Sequence, residues 1–121
     1  YLQTPQELVN LYPALDFYLI TSREEGGPKG LMESMASGIP VVSTAVGMAP
    51  DLIVNRVNGY MVETEDVEGL TGSALELMSL SDTALAKMTS TARQNVSECD
   101  VNRVAMQHWS KVYQPILDEA N

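Results

Sequence analysis

Three short apolar runs bounded by turn residues punctuate the first half of the chain, and longer stretches of helical spacing surround them. Phe17-Tyr18-Leu19-Ile20, opened by Asp16, is continuously apolar, as expected of a parallel strand covered on both faces. Pro40 opens a second buried strand through Val41, Val42 and Ser43, and Tyr60 to Val62 makes a third behind the Asn58-Gly59 turn signal. Thr4-Pro5-Gln6-Glu7 is a capping box with Pro at the first helical position, and it launches a helix through Leu8, Val9, Leu11 and Tyr12 that ends at Pro13. A second helix runs from about Pro28 to Ser37, with Leu31, Met32, Met35 and Ala36 facing inward and Gly38 as its C-cap. Val46 to Pro50 form a turn into a short helix over Asp51 to Val54. The acidic stretch Glu63 to Glu68 suits the start of the next helix, which carries Val67, Leu70, Ala74, Leu75, Leu77 and Met78. Ser81 caps a helix from Asp82 to about Val96, and the last helix spans Asp100 to about Glu119, with Val104, Met106, Trp109, Val112 and Tyr113 at mixed spacing. The order α-β-α-β-(α)-β-α-α-α predicts an α/β fold, the second half of a Rossmann-like parallel sheet flanked by helices.

The chemistry concentrates between the first two strands, from Thr21 to Thr44. Pro28 suits the first helical position and Gly27 the N-cap, where a glycine lets a ligand approach the backbone. The amides of Lys29, Gly30 and Leu31 then point from the helix start toward the crevice at the carboxyl end of the first strand, where open α/β sheets bind anions and nucleotides. Glu25 precedes the turn and Glu33 follows eight residues later, on the helix's second turn. That spacing leaves room for a phosphate between the acids and a polyhydroxyl group against each.

Charge limits the partners. Sixteen acidic against seven basic residues give a net charge of −9, which disfavours nucleic acid or an anionic membrane at this surface. Arg23 and Lys29 are the only cations near the proposed site, so phosphate binding would rest mainly on backbone amides. The lone Cys99 permits no internal disulfide and fits a reducing compartment. No apolar run of membrane-spanning length and no signal-peptide pattern occurs. The 121 residues make one domain at most, and with Tyr1 first the chain reads as an excised or truncated piece.

The stretch Glu25-Gly-Gly-Pro-Lys-Gly-Leu-Met-Glu33-Ser-Met-Ala-Ser-Gly-Ile-Pro-Val-Val-Ser-Thr resembles the signature of retaining, nucleotide-sugar-dependent glycosyltransferases of the two-Rossmann-domain (GT-B) fold, the glycosyl transferases group 1. The signature is a Glu-x7-Glu pair, a small-residue helix end and Gly-x-Pro-Val-Val, here in the version with Glu-Gly-x-Pro after the first acid. The resemblance covers most of the chain, and its specific residues lie between Ser22 and Asp51. Met48 stands where a second Gly is common and Asp51 where Glu is common, while Asn58 to Val62 resembles the family's Gly-aromatic strand.

The resemblance implies that residues 1–121 are part of a C-terminal donor-binding domain, with helices added from about residue 82 and the N-terminal acceptor domain absent. It implies Glu25 beside the donor sugar in the catalytic role, Glu33 on the ribose hydroxyls, and Gly26, Gly27, Lys29, Gly30 and Leu31 in donor binding. It further implies a UDP- or GDP-sugar donor, no cofactor and metal-independent chemistry, in keeping with the lack of an Asp-x-Asp or His/Cys cluster. A cytoplasmic setting is expected, with a peripheral place on the inner membrane left open for the full-length protein. The truncated piece is expected to be inactive alone, with an apolar sheet edge left open or paired with a second copy.

Blander readings stand beside these. Glu24 is a solvated loop acid, Lys29 divides between phosphate contact and surface, and Glu33 could pair with Lys29 one turn back. His108 and Cys99 read as surface or incidental residues, and the methionines as core filler. A receiver domain would want its acid at the carboxyl end of the strand, and a flavodoxin-like binder a better phosphate loop than Thr21-Ser22-Arg23-Glu24. The remaining alternatives are a sugar-nucleotide epimerase of the same architecture and a non-catalytic structural or interaction remnant of the donor domain.

Overall fold

The computed structural model describes residues 4–119. Three parallel strands, β1 (Tyr18–Ile20), β2 (Val41–Thr44) and β3 (Tyr60–Val62), lie side by side in chain order. Leu19 pairs with Val42, and Ser43 with Met61. Parallel neighbours need crossover connections. Helix α2 (Lys29–Ser37) provides the first, and the second contains the short α3 (Ala49–Leu52).

Central β2 is buried at all four positions, and its alternating side chains feed two cores. Val41 and Ile20 meet Leu31 and Met35 of α2, with Ala92 and Val96 of α5 (Asp82–Ser97). On the other face Val42 and Tyr60 meet Leu77 of α4 (Val67–Met78), and Met88 of α5 joins them. Helix α5 therefore contributes to both layers.

The structure departs from the pattern-based expectation at several places. Leu19 is 46% exposed, so β1 is not covered on both faces. Helix α4 packs against β2 and β3, and the β1 edge lies beyond it. Of the α4 residues read as apolar positions only Leu77 is fully buried; Leu70 and Ala74 are half-buried, and Val67, Leu75 and Met78 are exposed.

In α2 the buried stripe is Leu31, Ser34 and Met35, and Ala36 faces solvent. Ser34 tolerates full burial because its hydroxyl donates back to the Gly30 and Leu31 carbonyls, at 2.6 and 3.0 Å. Gly38 ends α2 in the left-handed region, φ 77°, and Arg93 donates to the Ser37 carbonyl at 2.8 Å. The short helix α3 begins at Ala49, two residues before the expected Asp51, with Pro50 in its first turn.

The capping box of α1 (Pro5–Leu11) forms as read, Glu7 N–H to Thr4 Oγ1 at 3.3 Å and Thr4 N–H to Glu7 Oε2 at 2.9 Å. The helix stops at Leu11, and Tyr12–Ala14 tighten into a 3₁₀ turn around Pro13. Asp66 and Ser81 cap α4 and α5, accepting from Gly69 and Ala84. Asp100 caps a terminal helical rod of α6 (Val101–His108), a π segment (Trp109–Tyr113) and α7 (Gln114–Glu119). Every residue from 97 to 119 is exposed, His108 and Cys99 among them.

Candidate functional site

The carboxyl ends of β1 and β2 open into two loops that are tied together. Buried Thr44, the last residue of β2, donates its hydroxyl to the Ser22 carbonyl at 2.7 Å. Gly47 in the second loop has φ 53°, and a Cβ there would lie 2.8 Å from the Glu25 carbonyl oxygen and 3.0 Å from Pro28 Cδ. Only a glycine lets the backbone after β2 close onto the Glu25–Pro28 turn. Gly47→Ala is accordingly expected to destabilise the fold by about 1–2 kcal/mol, from the left-handed strain plus the clash. Thermal unfolding checks the cost, and amide shifts concentrated at Gly26 and Gly27 check its location.

Gly26 and Gly27 contrast with Gly47. A Cβ on either would meet nothing within 4 Å, and neither is a positive-φ glycine. Open space lies in front of this turn, and the glycines keep it open.

Helix α2 starts one residue later than expected. Pro28, with φ −68° and ψ 102°, is itself the N-cap in place of Gly27. A φ fixed by the ring serves the extended cap as well as a first helical turn. The Leu31 N–H donates to the Pro28 carbonyl at 3.0 Å, so it leaves the expected trio of free amides. The amides of Lys29 and Gly30 have no partner among the described residues. Gly30 also has a packing role, since a Cβ there would fall 2.5 Å from the Tyr18 hydroxyl. The Lys29 side chain is exposed and unpaired among the described residues, whereas Arg23 pairs with Glu65 at 3.2 Å. Both partners of that pair are well exposed, so it contributes little.

The acids differ in setting. Glu24 and Glu25 are exposed and without hydrogen-bond partners among the described residues. Glu33 is half-buried, and its Oε2 accepts from the Tyr12 hydroxyl at 2.9 Å rather than pairing with Lys29. Burial first, then the hydrogen bond and charge of Glu33, push the Tyr12 phenol well above its ordinary pKa, which keeps it a donor. Tyr12 is only 3% exposed, and its ring leans on Tyr18, centroids 6.1 Å apart. Sequence reasoning counted Tyr12 as one more apolar helix position. The available signal was its hydroxyl, because a buried Tyr O–H needs a partner.

Glu33 also borders an open groove of about 580 Å³, shared with Met32, Ala36, Arg93, Val96 and Cys99. Among the described residues no three His, Cys, Asp or Glu side chains gather into a metal-holding group, and no helix is long and apolar enough to cross a membrane.

Residues 1–95 match the family model described as "Glycosyl transferases group 1". The chain belongs to this family. Its α/β fold, a parallel sheet flanked by helices, is that of the GT-B glycosyltransferases. Over its whole length this glycosyltransferase-family chain is 29% identical to an N-acetyl-alpha-D-glucosaminyl L-malate synthase of Bacillus anthracis, of which it covers 32%. A glycosyltransferase structure from Rickettsia africae superposes with a TM-score of 0.80 at 25% identity, over 94% of this chain and 31% of that one. A variant of TarM from S. aureus, solved with UDP among its ligands, superposes with a TM-score of 0.74 at 27% identity, over 92% and 22% of the two chains. The chain thus spans about a third or less of the length of these relatives.

Proposed function

We propose that this chain is the donor-binding part of a retaining glycosyltransferase that moves a sugar from a nucleoside diphosphate sugar, UDP- or GDP-linked, to an acceptor bound by another part of the protein. One observation carries the reading: two unpartnered amides, Lys29 and Gly30, open the helix that follows β1, behind an uncrowded Gly26-Gly27 turn, with Glu25 just before that turn and Glu33 one helical turn beyond Lys29. A helix start of this kind receives a phosphate through aligned N–H groups and the helix dipole. Transfer from a sugar diphosphate builds positive charge at the anomeric carbon and negative charge on the leaving phosphate. The amides, with the exposed Lys29 ammonium beside them, stabilise the leaving group, and preorganised donors of this sort are often the largest catalytic contribution. Glu25, exposed before the turn, orients sugar hydroxyls and favours the oxocarbenium-like state. Glu33 accepts from the ribose. The relative solved with UDP supports a nucleotide at this fold.

An amide NMR titration with UDP, GDP and ADP, each with and without its sugar, tests the assignment. Saturable shifts confined to residues 25–33 are expected in the full-length protein, and the nucleotide that saturates first names the base. A full-length protein whose 25–33 amides stay still while distant ones move would place the donor elsewhere and sink the reading.

A further inference from the structure

We propose that Tyr12 is a positioning residue of the nucleotide site: its hydroxyl holds one oxygen of Glu33 so that the other is presented to a ribose hydroxyl. The inference rests on the reading of Glu33 as the ribose acceptor and adds the group that sets its geometry. Tyr12 reaches Glu33 across 21 residues of sequence at 2.9 Å, from the turn between α1 and β1. The hydroxyl's place is fixed by packing. Tyr12 is 3% exposed, its ring is tilted 50° on Tyr18, and Tyr18 fills the room that Gly30 leaves on α2. Three consecutive constraints thus run from Gly30, beside the free amides, through two aromatic rings to the Glu33 carboxylate.

A glutamate on a helix surface has three side-chain torsions to settle, and a carboxylate offers about four lone-pair sites on two oxygens. Tyr12 occupies one of those sites on Oε2, while Oε1 accepts from no group among the described residues. Glu33 lines the open groove beside α2, so an incoming hydroxyl meets an acceptor already held in place. Preorganisation of this kind lowers the ordering cost of binding. A phenol is protonated at neutral pH, and burial beside Glu33 moves its pKa further up, so the bond does not lapse there. A purely structural Tyr12, pinning the turn to α2, would affect all nucleotides alike.

The test uses the full-length protein and calorimetry with whichever of UDP, GDP or ADP binds tightest, alongside its 2′,3′-dideoxy counterpart. Tyr12→Phe is expected to weaken the ribose nucleotide about tenfold, the scale of one charge-assisted hydrogen bond, and to leave the dideoxy nucleotide unchanged. In a Glu33→Gln background Tyr12→Phe should add nothing, and 4-aminophenylalanine at position 12, which keeps a donor at the same ring position, should restore affinity. If Tyr12→Phe affects neither nucleotide, or both equally, while Glu33→Gln still discriminates between them, the positioning role is overturned and the ribose reading stands. If Glu33→Gln does not discriminate, or no diphosphate binds, the ribose reading itself fails and takes the proposal with it. Should Tyr12→Phe not fold, 3-fluorotyrosine labelling of the unsubstituted protein decides. The Tyr12 fluorine line must move with the ribose nucleotide and not with the dideoxy form, and a line that ignores both overturns the proposal.

Discussion

Glu25→Gln is expected to lower kcat of the full-length transferase by a factor on the order of 10² to 10³ while changing the KM for donor by no more than a few-fold. The substitution keeps the size of the side chain, removes the negative charge and replaces one acceptor oxygen by an NH2 donor. On the proposed function that charge acts where positive charge develops, at the anomeric centre, so its loss should fall on the transition state rather than on ground-state binding. Glu25 is suited to this because it is exposed and has no partner among the described residues, leaving its charge uncommitted. Its backbone is nonetheless held, since its carbonyl lies against Gly47 and the neighbouring Ser22 carbonyl accepts from Thr44. A free side chain on a fixed backbone is what a positioned charge requires. Steady-state kinetics on the variant checks the split, and a variant with wild-type kcat would remove Glu25 from the reaction. Glu24→Gln, one residue earlier, serves as the control and should leave both constants within about twofold, the scale of an exposed charge.

The second large effect concerns stability. Asn58→Ala is expected to cost about 2–4 kcal/mol, which for a domain of this size lowers Tm by about 8–20 °C. Asn58 is 1% exposed and makes two bonds: its Oδ1 accepts from the Val54 amide at 2.8 Å and its Nδ2 donates to the Leu52 carbonyl at 2.9 Å. Truncation removes the partners of the buried Leu52 carbonyl and the part-buried Val54 N–H and leaves a void at a fully buried position. Asn58→Asp should be worse than its shape suggests, because the Leu52 carbonyl loses its donor and a charge is buried in exchange. Thermal or denaturant unfolding of the isolated chain measures both. A loss below about 1 kcal/mol for Asn58→Ala would mean that water replaces the amide, and that the remaining bonds, such as the Met61 amide to Asn55 Oδ1, hold the loop into β3.

Asn58 also shows where sequence reading runs out. As Asn-Gly it marked a turn before a strand, and the strand is there, from Tyr60 to Val62. The same residue's full burial, and its second bond to the Leu52 carbonyl six residues back, came from the chain folding back on α3, which the turn signal does not encode. Elsewhere the local signals were sufficient. The Thr4–Glu7 capping box, the Ser81 and Asp100 caps and the Gly38 stop depend on residues within three or four positions of one another, so their chemistry is complete in the sequence. The three apolar runs likewise demanded a shielded sheet, and the acid-glycine-proline stretch after the first run marks the candidate site.

What the tertiary structure decided is every feature that needs residues distant in the chain. Leu19 belongs to an apolar run, and its 46% exposure follows from α4 covering only β2 and β3. Lys29, Gly30 and Leu31 stood together as free helix-start amides, and the Leu31 N–H is taken by the Pro28 carbonyl. Gly47 looked like a loop glycine until its backbone met that of Glu25. Tyr12 and Glu33, 21 residues apart, became partners only when the turn before β1 packed against α2. The sequence by itself determined the local elements, their order along the chain and the family signature, because each rests on periodicity, on side chains reaching their own backbone or on a contiguous motif. Which amides remain free, which acid is held and which is left exposed were settled by long-range packing, because a hydrogen bond between distant segments has no counterpart in local spacing.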